Sequence, residues 1–518
     1  MPYAIGHMRS GDNNGQIDLD TEMEAPNETS APARTPGSSR VSEQNGDLLL
    51  PFNERFAVAG SVWLIATNAP EIVSAAGETF QSVSDTTLPI ALRISCYVDP
   101  ELRAKQPWPP PHFRGLDHLV YAGYGSGGSM IIDLQRRRVV GRFSPAMARD
   151  SDYWRCVLLP ILLGITSASV GVSALHCACV VRNGQGLILG GASGAGKSSL
   201  ALALSLTGFA YLSDDWTYFS RAGSAAHAWG LPTPVKLLPD AVRYFPQLAG
   251  ATLSSSLNGE LAYEVDPVAE FGVDRALFCQ PRWVVFVERT ESAGATFTRI
   301  SSEDALVRFA SQLERLPTCL ADMRIPQLQT VRALVDQECW ILRHGLTPAL
   351  AAAELSKFCG DLRVLRQTSA TNDGAFPMHA DSLRRFTETP FESTLAIGEA
   401  TVRVATNYQL LADRLREVSA AAAPKIADGP VFCWRVVVEA DDEREPESTS
   451  VGQLNKDGLA FITLCQRSFL ASDLEAREGI AFVSESFVRN EGLFHQYFLP
   501  ALLSLSKGIF ESGRTNLG

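Results

Sequence analysis

The chain has 518 residues, with 45 basic against 57 acidic side chains for a net charge of −12; 46% of residues are hydrophobic and 20% charged. That length suggests about three domains, and the composition suits a globular protein with sizeable cores, which excludes wholesale disorder and a collagen-like fold. A pI near 5.3 offers no basic face to neutralise a phosphate backbone, so no nucleic acid is expected as partner.

Residues 1–50 are rich in Gly, Ser, Asn, Pro, Asp and Glu without an apolar period, which predicts a disordered tail. The start lacks a charged n-region and an apolar h-region, and ten dispersed cysteines form no CxxC pair. Both features point to reduced thiols and a cytoplasmic location. From Phe52 the pattern turns apolar. Phe56 to Asn68 and Leu92 to Val98 read as strands, Pro70 opens a helix, and Gln106 to Gly115 reads as a proline-fixed loop. From Cys156 to Val181 no Asp, Glu, Lys or Arg occurs, long enough to span a bilayer. Interior Pro160, Gly164, Gly171 and His176 predict instead a buried helix followed by a buried strand, with no membrane insertion.

Ser173 to Val181 then reads as a strand carrying His176, followed by GLILGGASGAGKSSLALAL: an apolar strand, a glycine-rich turn and a helical run. The turn from Gly191 to Ser198 fits G-x-x-x-x-G-K-S in the strand and helix context that motif requires. In such a loop the glycines Gly191, Gly194 and Gly196, with Ala192, Ser193, Ala195 and Ser199 around them, let backbone amides converge on a phosphate at a helix N-terminus. Lys197 would reach the β- and γ-oxygens, and the Ser198 hydroxyl could ligate Mg2+. A short strand places Asp214 and Asp215 seventeen and eighteen residues beyond Lys197. One could hold Mg2+ while the other accepts a proton from an attacking hydroxyl; a solvated acidic turn is the bland alternative. A lone His on an apolar strand is usually a core residue, but a hairpin into the next strand would bring His176 near the phosphate pocket. Lys236 and Arg243 read as surface cations that could also meet phosphate or substrate. Further on, Glu260 to Pro267 and Arg282 to Arg289 read as strands, Ser302 to Leu316 as an amphipathic helix, Cys339 to Gly345 as a closing strand and Thr347 to Phe358 as a helix. Glu288 is a weaker candidate acid, since the Asp pair fills that role at closer range.

Residues 366–389 form a polar, Pro- and Gly-containing linker, and the segment after it repeats the one that precedes the middle of the chain. Gly60 to Val73 aligns with Glu399 to Ala412 at an offset of 339, sharing Ala-Thr-Asn, and Asp152 to Leu163 aligns with Gly492 to Leu503 at 340, sharing Leu-Pro. Leu92 to Asp99 has a counterpart in Trp434 to Asp441. The expected organisation is an α+β module over 51–165, a phosphate-loop domain over 166–365 and a second copy of the module over 390–518. Lys507 in the second copy also counts against a membrane role for the first.

LHCACV, GLILGGASGAGKSSLALAL and GFAYLSDD occur in the order and at the intervals found in the HPr kinase/phosphorylase catalytic domain, and the sequence resembles that family. The resemblance is close over about 45 residues and weaker to about Gly360. It implies an α/β fold: an HPr-kinase-like, PEP-carboxykinase-like P-loop kinase core with a mixed sheet, flanked here by the two small α+β modules. It also implies an ATP- and Mg2+-dependent serine/threonine kinase, with His176 lining the phosphate site, Lys197 and Ser198 holding ATP and Mg2+, Asp214 as acid/base and Asp215 on the metal side. Where the HPr-directed enzymes carry a distinctive glycine-rich signature, this chain has HAWGLPTPVKLLPDAVRYFP. That stretch resembles the stand-alone relatives, including kinases encoded with lasso-peptide and other peptide-modification systems, and implies a peptide or small carrier protein as acceptor. The modules could form the acceptor cleft or a homo-oligomer surface. A nucleotide-sensing scaffold without phosphoryl transfer is the alternative; a transport ATPase is disfavoured because LSLTG matches the LSGGQ signature poorly.

Overall fold

The structure, a computed structural model, describes residues 49–255, 260–291, 294–361, 383, 385–397, 400–421, 430–441, 452–465 and 467–506. Positions 1–48 of the expected tail, most of the expected linker and Lys507 lie outside the described residues.

The apolar run from Phe56 to Asn68 is interrupted by Ala59 and Gly60, at φ of 46° and 82°. It therefore folds as a hairpin of Phe52–Val58 against Ser61–Thr67 rather than as one strand. This hairpin begins an eight-stranded mixed sheet in the spatial order Gln81–Ser82, Phe52–Val58, Ser61–Thr67, Leu92–Val98, Arg138–Phe143, Gly128–Asp133, Leu119–Gly123, His112–Leu116. The last strand starts inside the segment expected as a proline-fixed loop, since beyond the prolines the backbone N–H groups are again free to pair.

A seven-stranded sheet near the other end runs Phe391–Ile397, Ala400–Thr406, Val431–Glu439, Glu478–Ser484, Phe469–Asp473, Leu459–Thr463, Gly452–Lys456. Apart from the two-residue edge strand of the first sheet, the two have the same strand order and the same pattern of parallel and antiparallel pairing. Each has a helix after its second strand, Pro70–Thr79 or Gln409–Ala421. Each also ends in a π turn running into a helix: Trp154–Leu158 into Leu159–Thr166, and Phe494–Phe498 into Leu499–Ser506. Pro160 and Pro500 follow these turns; without an N–H neither can donate to the turn before it, and the backbone widens there.

The helices cover one face of each sheet, and the opposite faces pack on each other through Leu119, Tyr121, Val140, Phe461, Phe469 and Phe482. Tyr121 stacks on Phe469 with ring centroids 3.7 Å apart. At the rim, Ser95 Oγ donates to Asp457 at 3.1 Å and Arg435 meets Asp117 at 2.8 Å. Ser95 and Arg435 are 340 residues apart, as are Asp117 and Asp457. The two sheets thus meet about an approximate two-fold axis, in the manner of an isologous dimer.

Between them in sequence lies a nine-stranded mixed sheet ordered Ala210–Ser213, Ala178–Arg182, Gln185–Gly190, Phe278–Arg289, Ala225–Trp229, Thr217–Ala222, Ser173–Leu175; Glu338–His344 also pairs with Phe278–Arg289 and carries Ala295–Ile300 on its other side. Lys197–Ser205 and Pro348–Asp361 pack on one face. Ser302–Ala310 and Arg324–Val335 cover the other. The expected helix from Ser302 stops at Ala310 rather than Leu316. The expected strand through His176 is two short strands that join different neighbours, with His176 and Cys177 at the break. The charge-free run 156–181 is divided among a π turn, an eight-residue helix, a turn and these strands. No helix among the described residues is long and apolar enough to cross a membrane.

Candidate functional site

Ala178–Arg182 pairs antiparallel with both Gln185–Gly190 and Ala210–Ser213. The latter two therefore point the same way, and the turns after them emerge on one edge of the sheet. The first turn is the glycine-rich loop. Gly191, Gly194 and Gly196 sit at φ of 138°, 78° and 87°, in the region that L side chains rarely adopt. A Cβ on Gly191 would also lie 2.6 Å from the Val287 carbonyl oxygen, so the loop's first residue must be glycine to pass the neighbouring strand. Ala192, Ser193 and Gly194 are exposed at the loop tip, whereas Ala195 is buried beneath it. Gly196 then opens the Lys197–Ser205 helix with no side chain capping its first turn. The amides of Lys197, Ser198 and Ser199 occupy the helix positions where intrahelical partners are lacking.

Lys197 is buried, and its Nζ donates to the carbonyls of Gly191 and Ala192 at 3.0 Å each. Burial pulls the ammonium below its ordinary range, while Asp215, Cys177 and Asp214 favour the charge. Asp214 is 5% exposed. It accepts from the Tyr211 hydroxyl at 2.6 Å and from the Lys236 backbone N–H at 3.1 Å. Burial, then the adjacent Asp215 charge, push its carboxyl up to about 6, against the pull of those hydrogen bonds. Asp215 is more open, its side chain 43% exposed, and pairs with His176 Nε2 at 2.9 Å. The imidazole stacks on Trp216 at 5.7 Å, and the His176 backbone N–H donates to the Gln312 side-chain oxygen at 3.1 Å.

The residues singled out from the sequence, His176, the 191–199 loop, Asp214 and Asp215, thus lie on one sheet edge although they come from three turns. The break at His176 lifts that residue out of the core pattern expected for a lone His. Lys236 is not simply a surface cation: its amide holds Asp214, and its Nζ pairs with Glu260 at 2.8 Å. Arg243 is exposed and pairs with Asp240. Glu288 is engaged by Arg343 at 2.9 Å and Arg308 at 3.4 Å, which leaves it poorly suited to ligate an ion. Tyr211 and Gln312 are additions that the sequence reading lacks. Tyr211 carries one local signal, a tyrosine three residues before an Asp pair; Gln312 carries none, because its partner is 136 residues away.

A hydroxyl and carboxylates are hard oxygen donors suited to Mg2+, and Ser198, Asp214 and Asp215 supply them beside a buried ammonium. A second His and carboxylate cluster, His118, Asp133 and Asp473, is buried between the flanking sheets. Arg138 meets both of its carboxylates, at 3.0 and 3.1 Å, and Arg136 meets Asp473, so it is an ion-pair network.

No family model matches the sequence, and no curated protein matches it. Among solved structures, the Hpr(Ser) kinase/phosphatase from Coxiella burnetii aligns with a TM-score of 0.21 and 11% sequence identity, over 37% of this chain and 99% of that one.

Proposed function

We propose that the chain is an ATP- and Mg2+-dependent kinase that transfers the γ-phosphoryl group to a serine or threonine hydroxyl of a peptide or small carrier protein. In this reading the chain has a kinase core over 166–365, and the modules over 51–165 and 390–518 are copies of one unit; their common strand order supports the duplication. The observation that carries the reading is Asp214: a buried carboxyl, held by Tyr211 and the Lys236 amide and pushed up to about 6, at the end of the strand that points the same way as the one entering the glycine-rich loop. A base needs an affinity for protons close to the working pH, and burial moves the Asp214 carboxyl upward toward that range.

The loop amides from Gly191 to Ser199 and Lys197 would bind the triphosphate of ATP at the helix N-terminus. Ser198 and Asp215 would hold Mg2+, which when bound neutralises phosphate charge. Asp214 takes the proton of the acceptor hydroxyl as its oxygen bonds to the γ-phosphorus and the bond to the β,γ-bridging oxygen breaks; ADP leaves with that electron pair. His176, held against Asp215, would line the phosphate site.

The deciding experiment measures ADP release with Mg2+ and candidate peptides, alongside nucleotide binding, for the intact chain, Lys197→Ala and Asp214→Asn. Peptide-dependent turnover with an added phosphoryl mass, lost in Asp214→Asn while ATP still binds, supports the kinase. ATP binding that is equal in wild type and Asp214→Asn, with no transfer to any acceptor, supports a nucleotide-sensing scaffold instead.

A further inference from the structure

The segment that leads into the second flanking sheet touches three parts of the molecule. Leu383 is buried in the core of the first flanking sheet, and its carbonyl accepts from Gly115 N–H at 2.9 Å. Arg385 is 5% exposed and donates through one nitrogen to the Glu314 carboxylate at 2.9 Å and to the Arg315 carbonyl at 3.0 Å. Arg315 in turn lies over the Phe386 ring at 3.9 Å. Arg435, on the second flanking sheet, donates to the Thr387 carbonyl at 3.1 Å.

Glu314 and Arg315 belong to the turn that follows the Ser302–Ala310 helix, and two residues earlier in that turn Gln312 accepts the His176 amide. His176 sits where one short strand ends and the next has not begun, so no strand partner orients its backbone. A guanidinium held in two bonds by a carboxylate and a carbonyl fixes its partners more tightly than a neutral contact would. Arg324 adds a second guanidinium on the Glu314 carbonyl.

We propose that Gln312 and Arg385 are positioning residues: Arg385, from the segment entering the second module, clamps the 312–315 turn, and Gln312 on that turn sets His176 against Asp215. The proposal rests on the kinase reading for its catalytic consequence, but its geometric content does not. The second module thereby gains a role in the site, because the chain entering it braces an edge of the central sheet.

Backbone amide exchange in the full-length chain tests the geometry without any turnover. In Gln312→Met, which keeps volume but removes the acceptor, the His176 amide should exchange about tenfold faster, while amides of the Val431–Glu439 strand are unchanged. Gln312→Glu, which keeps an acceptor oxygen, should restore protection. Arg385→Ala should speed His176 exchange in the same way, and Arg385→Lys should recover it only in part, because an ammonium lacks the planar fork. With ATP and an accepted peptide, Gln312→Met and Arg385→Ala should lower kcat roughly ten- to a hundredfold, with KM for ATP unchanged. A folded Gln312→Met or Arg385→Ala with wild-type His176 exchange overturns the proposal, as does exchange that rises equally in all strands. If the His176 amide responds as expected but the wild type transfers phosphate to no acceptor, the kinase reading fails and the positioning stands.

Discussion

Asp214 and Gly191 show how single residues are constrained by neighbours distant in sequence. In an unfolded chain the Asp214 carboxyl has its ordinary value of 3.8; in the folded protein it is raised to about 6. Between those values the native state holds a proton that the unfolded state has lost, so stability falls as pH rises from about 4 to about 6 and is flat above. The contribution is at most roughly 3 kcal/mol, and urea denaturation of the nucleotide-free protein across that window should show it. Asp214→Asn should abolish this part of the slope. If Asp214 is the base of the proposed kinase, turnover should rise with pH as its carboxyl loses its proton, and Asp214→Asn should have no such limb. Gly191→Ala would force both a positive φ and a Cβ against the Val287 carbonyl. Its expected cost is about 1–3 kcal/mol with weakened nucleotide binding, measurable by thermal denaturation and nucleotide titration. Gly194 and Gly196 have open space around them, so substitution there meets only the backbone cost.

The Ser302–Ala310 helix illustrates the element scale. Its apolar period continues past Ala310, and local sequence alone extends it to Leu316. The structure ends it earlier, because Gln312, Glu314 and Arg315 turn away to meet His176 and Arg385. The start of the helix is local and legible: Ser301 Oγ accepts from Asp304 N–H at 3.0 Å, and Glu303 and Asp304 favour the positive end of the helix dipole. Ser301→Ala should therefore cost about 1 kcal/mol, visible as a lower thermal midpoint. The π turns before Pro160 and Pro500 are not in the sequence reading, which has a plain buried helix at the first; each precedes a proline that cannot donate to it.

At the scale of the whole molecule, the two flanking sheets bury a shared apolar layer, and a few residues at its centre outweigh the rim. Tyr121 is 1% exposed and stacked on Phe469, so Tyr121→Ala should destabilise by about 3–5 kcal/mol in chemical denaturation. Arg435→Ala removes a partly solvated pair with Asp117 and a bond to the Thr387 carbonyl and should change stability by about 1–2 kcal/mol. Equal effects of the two substitutions would show that the sandwich is not held by its centre.

By itself, the sequence determined whatever depends on near neighbours: the strand, glycine turn and helix from Gly186 to Leu204 and the Asp pair after a short strand. Those features rest on backbone geometry and side-chain period, which act over a few residues. Only the tertiary structure decided which turns share an edge, that the two flanking sheets face each other, and that Tyr211, the Lys236 amide and Gln312 complete the surroundings of Asp214 and His176. These contacts join groups 22 to 136 residues apart, or, for Tyr211, depend on a side chain folding back onto the end of its own strand. No local period encodes such pairings; they form when burial of the two sheet faces fixes the chain's path and brings the groups together.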